Sequence, residues 1–463
     1  MTETSARQVA LELLNAVDQK DAYANLLLPK LQTKAGLNTR DAAFAQELAF
    51  GTLRNRIFYD AVIANGANRA VETIDAEPLN LLRMGAHQLL GMRVPSHAAI
   101  HETVELSKFA LRAGLSGFVN GVLRRVAERT RDEWLSILIS DISDPLEKLA
   151  LEYSHPLWIV KALADSLRAD SQEDSLEALL REDNAAPEVN LVALPGMTTV
   201  DELLAKSVSQ RGLSPIGVSL EGGDPWQIDE VAAGKARVQD QGSQIAALLL
   251  SEVELQTKSK QEEWIDLCAG PGGKAALLAA LAKQRKAELT CNELQEHRSK
   301  LVKQALKRID PDVYIRTGDG RDLGEDAPEA FDRILLDAPC SGLGASRRRP
   351  ESRYRRSSSD VGALSKLQQE LFESAWMGLK PGGVIAYVTC SPHLAETTGL
   401  VDWVTRKYPE SLLIDAQQVL SRINPELTSG LQSVNTTRKT IQLWPHRQQT
   451  DAMFIALIAK PAQ

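Results

Sequence analysis

Of the four cysteines in the chain, two stand in polar, irregular surroundings just past short apolar runs: Cys340 in Asp337-Ala-Pro-Cys-Ser-Gly342 and Cys390 in Thr389-Cys-Ser391. An unpaired cysteine is more often a small hydrophobe packed in a core, and that reading suits Cys268 and Cys291. Cys340 differs, because Pro339 before it and Ser-Gly after it place the thiol on a loop. Cys390 has Thr389 and Ser391 on either side and Pro392 beyond. No Cys-x-x-Cys spacing occurs, so neither a thioredoxin-type redox pair nor a zinc knuckle is indicated. Two thiols beside a methyl-donor site would suit covalent chemistry on a base.

A second constellation is Cys268-Ala269-Gly270-Pro271-Gly272-Gly273-Lys274, between a strand-like run and an Ala/Leu-rich helix. Glycines there let a ligand approach the backbone at a helix N-terminus. Cys268 stands where a Walker A loop needs its first glycine, and Ala275 follows the lysine where that loop needs Ser or Thr, so a nucleotide-triphosphate loop is excluded. Gly270, Gly272 and Ala275 fit the loose dinucleotide pattern, and Glu293 lies at the end of the next strand, where an acid accepts bonds from ribose hydroxyls. The glycines alone leave NAD and S-adenosylmethionine both open. Asp319 follows the third strand-like run, Asp337 ends the fourth and Cys390 follows the fifth. All then fall at the carboxyl edge of one parallel sheet, where open α/β folds bind ligands. Each acid taken singly is equally well a helix cap.

A third feature is charge. The stretch Ser346 to Arg356 carries Arg347, Arg348, Arg349, Arg353, Arg355 and Arg356 against one glutamate, on a chain of formal net charge −8. A basic strip on an acidic body predicts a specific anionic ligand at that strip rather than general nucleic-acid coating, the phosphates if the chain acts on RNA, although a solvated charged face has the same composition. His97 and His101 have helical i, i+4 spacing, but no third ligand stands near them, so no metal is expected.

The elements that must carry these residues divide the chain in three. From Arg7 to about Arg129 apolar residues recur at three and four, as in Val9, Leu13, Leu14 and Val17, which predicts an all-helical bundle over residues 1–140. Residues 141–235 read as a small mixed α/β linker domain, with a helix break at Tyr153–Trp158 and a strand near Glu188–Leu194. Residues 236–463 alternate helices with the strands Glu263–Cys268, Ala287–Glu293, Val313–Arg316, Phe331–Asp337 and Gly383–Thr389, a Rossmann-like parallel sheet. The runs Thr440–Trp444 and Ala452–Ile458 should add an antiparallel hairpin at its edge. At 463 residues, 43% hydrophobic and 25% charged, the chain has the composition of a globular multidomain protein. No run approaches the length of a membrane span, and the N-terminus lacks the basic and apolar blocks of a signal peptide, so a cytoplasmic protein is expected.

Taken together, Asp266-Leu-Cys-Ala-Gly-Pro-Gly-Gly-Lys274, Asp337-Ala-Pro-Cys-Ser-Gly342 and Thr389-Cys-Ser391, in this order, resemble the RNA 5-methylcytosine methyltransferases. Val238-Gln-Asp-Gln-Gly-Ser-Gln244 and Trp444-Pro445 with Thr450-Asp451 are similar to that family too. The helical segment, with Ala49-Phe-Gly-Thr-Leu53 and Phe118-Val-Asn-Gly-Val-Leu-Arg124, resembles the NusB-like RNA-binding domain of the subgroup that acts on small-subunit ribosomal RNA. After Cys390 the chain reads Ser-Pro-His-Leu-Ala-Glu396 where relatives commonly carry consecutive acids, and around Thr450-Asp451 it lacks their His and Gly.

The resemblance implies a class I, S-adenosylmethionine-dependent methyltransferase that is a monomer and needs neither metal nor membrane. It implies that Cys390 adds to C6 of cytosine, that Asp337 contacts the base and the cofactor side, and that Cys340 assists product release. It places the cofactor against Cys268 to Lys274, with Glu293 on the ribose, Asp319 near the adenine and Asp337 near the methionine end. DNA cytosine methyltransferases attack with the cysteine of a Pro-Cys motif, here Cys340, and two cysteines point to the RNA type instead. Two other classes compete: an RNA-binding antitermination factor on a decayed sheet, and an NAD-dependent oxidoreductase, which gives the two thiols no role.

Overall fold

Ser5 opens the first helix through a capping box, its hydroxyl accepting from the Gln8 amide while the Gln8 side chain accepts from the Ser5 amide. From there a computed structural model describes residues 4–110, 114–257, 259–432 and 438–462. It resolves into two compact units: Met1–Lys161 with Leu180–Ala185 and Ser346–Arg356, and Ala162–Leu179 with Ala186–Ala345 and Ser357–Gln463.

The first unit is helical, as the three-and-four spacing predicts. Helices Ala6–Lys20, Thr39–Arg54 and Ala76–Leu90 bury one apolar cluster around Leu13, Leu48, Leu81 and Met84. A second cluster gathers Phe58, Tyr59, Val62, Leu82, Val122, Leu123 and Trp134. Arg83 is buried there and bonds Asp60 at 2.6 and 2.8 Å and Asp18 at 3.2 Å, so its charge is answered inside the unit.

The second unit holds two sheets. A four-stranded antiparallel sheet, in the order β2-β3-β1-β4, uses β1 Val189–Ala193, β2 Ser209–Arg211, β3 Gly217–Leu220 and β4 Ala236–Val238. The large sheet contains β5 Glu263–Asp266, β6 Glu288–Glu293, β7 Tyr314–Thr317, β8 Phe331–Asp337, β9 Leu379–Thr389, β10 Leu412–Ile414, β11 Ile441–Gln442 and β12 Phe454–Ala459. Its order is β10-β12-β9-β8-β5-β6-β7, with β11 paired to β12; strands β9 through β7 run parallel and the β12 pairings are antiparallel.

Alternation along β9 shows why both faces are covered. Val384, Ala386 and Val388 enter one core with Leu335, Ile455 and Leu457, while Ile385 and Tyr387 enter the other with Ile334, Leu336 and Ile458.

The two units differ from the expected three-part division. The strand at Ala236–Val238, beyond the expected linker boundary, completes the small sheet by pairing with β1, and the helices up to Lys161 belong to the helical unit. The expected antiparallel pairing of the last two runs forms between β11 and β12, but not at the outermost position of the sheet. β12 lies between β9 and β10, inside the sheet, and only its start pairs with the two-residue β11. Among the described residues no helix is long and apolar enough to cross a membrane.

Candidate active site

The glycine loop leaves β5 and enters the helix Gly273–Arg285. Gly272 is the N-cap with φ +105°, where a Cβ would lie 2.7 Å from the Ala305 methyl and 3.1 Å from the Val302 Cα. Only glycine combines that backbone angle with so close an approach of the helix Glu296–Leu306. Gly270 donates its amide to Glu293 Oε2 at 3.0 Å, and a Cβ there would sit 2.1 Å from the same oxygen. At Gly273, the first helical residue, nothing lies within 4 Å of the Cβ position. Open space at a helix N-terminus beside a strand-end carboxylate fits a nucleoside-bearing cofactor.

Lys274 reaches from that helix to the end of β8, donating to Asp337 Oδ2 at 2.8 Å. Burial works against the lysine's charge, but attraction to Asp337 and this bond hold its pKa above the ordinary value. Beneath them Asp266, at the end of β5, is pushed up to about 8 by burial and by repulsion from Asp337, with Lys274 partly offsetting both. Asp319 caps the turn after β7 by accepting from the Arg321 amide at 3.0 Å, and its carboxylate grips the Arg321 guanidinium at 2.6 Å. That side-chain bond holds Asp319 below the usual carboxylate range.

The two thiols meet. Cys340 Sγ and Cys390 Sγ are 3.5 Å apart, on the loops that follow the adjacent parallel strands β8 and β9. The Cys340 hydrogen bond lowers the pKa of Cys390, helped by Lys274 and opposed by burial, Asp337 and Asp451. The same contact, with burial and Glu396, raises Cys340. Burial pushes Cys268 and Cys291 well up, which makes them poor nucleophiles.

Three residues of the quoted motifs were given no role in the sequence: Ser341, Ser391 and Glu396, whose carboxylate receives both serine hydroxyls. Glu396 ends the run quoted after Cys390, but its serine partners lie 55 and 5 residues away in the chain. The Val238–Gln244 and Thr450-Asp451 segments also meet: Thr450 Oγ1 donates to Asp240 at 2.7 Å and the Gly242 amide donates to Thr450 at 2.9 Å.

The basic strip requires a correction. Ser346–Arg356 packs within the helical unit, where Arg347 bonds Glu182 at 2.6 Å and Arg353, fully buried, bonds Asn184 at 2.7 Å and the Asp183 carbonyl at 2.6 Å. Arg355 donates to the Ala22 carbonyl and stands over the Tyr23 ring, and Arg348 is half-buried. Arg347 and Arg353 are therefore framework residues rather than phosphate contacts; Arg349 and Arg356 remain exposed. His97 and His101 are exposed, and among the described residues no group of three or more His, Cys, Asp or Glu is placed to hold a metal.

A sheet in this strand order, with a glycine loop after its first parallel strand and paired thiols beyond its fourth and fifth, defines a Rossmann-like methyltransferase, here joined to a NusB-type helical unit. Residues 253–459 match the family of 16S rRNA methyltransferases RsmB/F, and residues 4–128 match the NusB family. A Mycobacterium tuberculosis protein named as a methyltransferase is 46% identical over 98% of this chain and 96% of its own length. The ribosomal RNA small subunit methyltransferase B of Enterobacter sp. is 30% identical over 99% of this chain and all of its own. The solved structure of PH0851 superposes with a TM-score of 0.80 at 21% identity, covering 99% of both chains, which shows a shared fold. The chain belongs to the RsmB/F family of ribosomal RNA methyltransferases.

Proposed function

We propose that this protein methylates C5 of a cytosine in small-subunit ribosomal RNA, with Cys390 bonded transiently to C6 of the base. The observation that carries the reading is the thiol pair, 3.5 Å apart on the loops that follow adjacent parallel strands, with the Cys340 contact and Lys274 both acting to lower the pKa of Cys390. C5 of cytosine is a poor nucleophile. Addition of the Cys390 thiolate to C6 moves the C5–C6 electron pair onto C5, and a proton passed from Lys274 through Asp337 to N3 neutralises the negative charge that develops in the ring. S-adenosylmethionine, when bound, supplies an electrophilic sulfonium methyl. Once C5 carries the methyl, its proton passes to water, the C5–C6 double bond re-forms, N3 returns its proton to Asp337 and Cys390 departs as a thiolate, with Cys340 assisting by hydrogen-bonding the leaving sulfur.

The residues that would hold the cofactor are the Cys268–Lys274 loop, with Glu293 on the ribose hydroxyls, Asp319 near the adenine and Asp337 at the methionine end. The exposed Arg349 and Arg356 would meet RNA phosphates. The test is incubation with small-subunit ribosomal RNA, free and in particles, and labelled S-adenosylmethionine, followed by nuclease digestion and mass detection. Labelled 5-methylcytidine is the expected product. Methyl transfer to another atom, or cofactor binding without transfer, contradicts the proposal.

A further inference from the structure

Glu396 is fully buried, on the short helical turn Leu394–Glu396 that follows the Cys390 loop. Its Oε1 accepts from the Ser341 amide at 2.8 Å and from Gln368 Nε2 at 3.2 Å. Its Oε2 accepts from Ser341 Oγ at 2.5 Å and from Ser391 Oγ at 2.6 Å. Ser341 directly follows Cys340, and Ser391 directly follows Cys390. Gln368 also donates to the carbonyl of Pro339, the residue before Cys340, at 2.9 Å, and the Tyr387 hydroxyl on β9 donates to the Glu396 carbonyl at 2.8 Å. Each serine hydroxyl has one proton to give. With both protons on Glu396, the 3.0 Å separation of the two hydroxyl oxygens follows from their shared acceptor.

A carboxylate is costly to bury, and an apolar side chain would fill the same space without that cost. What the carboxylate adds is an acceptor for donors from two loops at once, with three of its four bonds coming from Ser341 and Ser391, the residues that follow the two thiols. We propose that Glu396 is a positioning residue: it ties the Cys340 loop to the Cys390 loop and so holds the two thiols at hydrogen-bonding distance. The proposal rests on the assignment of Cys390 as nucleophile and Cys340 as its helper, but the geometry it claims can be read without RNA or cofactor.

The readout is the pH profile of Cys390 alkylation. Cys390 is faced by Cys340, by Asp337 at the end of β8, by Lys274 from the helix Gly273–Arg285 and by Asp451 from the segment before β12; Glu396 faces Cys340 instead. Loss of the Glu396 charge alone would therefore make Cys340 more acidic and leave Cys390 where it is. Loss of the tie separates the thiols, withdraws the Cys340 hydrogen bond and moves Cys390 up. The two effects fall on different cysteines.

Iodoacetamide labelling of Cys390, followed peptide by peptide by mass spectrometry across pH, would be compared in wild type, Glu396→Gln, Ser341→Ala and Cys340→Ala. The inflection should move to higher pH in Cys340→Ala and Glu396→Gln, and part of the way in Ser341→Ala, which keeps three of the four bonds to Glu396 and covers the case that Glu396→Gln does not fold. In methyl transfer, Glu396→Gln should lose about 10- to 100-fold in kcat with KM for S-adenosylmethionine within about twofold. A folded Glu396→Gln or Ser341→Ala whose Cys390 profile coincides with wild type overturns the proposal. So does an unshifted Cys340→Ala, because the thiol contact then carries no hydrogen bond. A wild-type protein that makes no 5-methylcytidine overturns the functional reading instead, and leaves the alkylation result standing.

Discussion

The Lys274 ammonium lies 2.8 Å from the Asp337 carboxylate, so the helix that begins at the glycine loop is joined by a charge pair to the end of β8, one loop away from the thiols. This pair sits between two functions. It supplies the positive charge that favours a thiolate at Cys390, and it answers an acid that already raises Asp266 to about 8.

Lys274→Met should therefore push the Cys390 thiol up and shift the acidic limb of the pH–rate profile to higher pH. At neutral pH kcat/KM should fall at least about tenfold, because a preorganised charge in a water-poor site is lost. A pH–rate series checks this; an unshifted limb would mean that Lys274 serves only the cofactor loop.

Gly272→Val should abolish S-adenosylmethionine binding. The new Cβ would press on Ala305 and Val302 at a φ of +105°, displacing the loop from the helix it packs against. Calorimetric titration of the folded variant is the measurement, with circular dichroism to show that the sheet survives. Wild-type affinity in the variant would remove the loop from the cofactor site.

The arginine segment should split into two classes on substitution. Arg353→Ala leaves Asn184 and the Asp183 carbonyl without their partner in a buried setting and should destabilise the helical unit by about 3–5 kcal/mol. Arg349→Gln with Arg356→Gln should leave the melting temperature nearly unchanged and lower the slope of log K against log salt for RNA by about 1–2. Denaturant melts and salt-dependent binding separate the two. Loss of stability from the exposed pair, or an unchanged salt slope, would contradict this division.

His155 sets an acid limit on the same unit. Burial and the nearby Arg353 lower its pKa to about 4, from an ordinary value near 6.5. The unfolded chain thus takes up a proton first as pH falls, so the stability from neutral His155 is complete above about 6.5 and is lost on the way down to 4. Between pH 7.5 and 4.5 the loss should be about 2–3 kcal/mol. Denaturant melts of wild type and His155→Gln at both pH values test it: the wild type should show that extra loss, and equal losses would show that another group governs acid sensitivity.

What the sequence made legible follows physical range. The parallel strands were readable because each is an apolar run that ends abruptly in a residue of chemical character, Asp266, Glu293, Asp337 or Cys390, and the helical bundle because its periodicity is local. The small sheet was not, since Ser209–Arg211 and Ala236–Val238 are three residues long and only part-apolar, and gain their form from β3 and β1. The arginine strip misled because charge in a sequence does not say whether it is answered: Glu182, the partner of Arg347, lies 165 residues away. The role of Glu396 was hidden for the same reason, since one of its serine partners, Ser341, lies 55 residues away.

The division of labour between the thiols is the claim on which the mechanism stands, and a denaturing gel tests it most directly. Each single-cysteine variant is incubated with labelled ribosomal RNA and S-adenosylmethionine, then denatured. Cys340→Ala retains the nucleophile and lacks only its helper in release, so it should accumulate a band of protein covalently joined to RNA, stable because the link is a thioether. Cys390→Ala should form neither adduct nor product. The reverse pattern, an adduct with Cys390→Ala and none with Cys340→Ala, would make Cys340 the nucleophile and contradict the account.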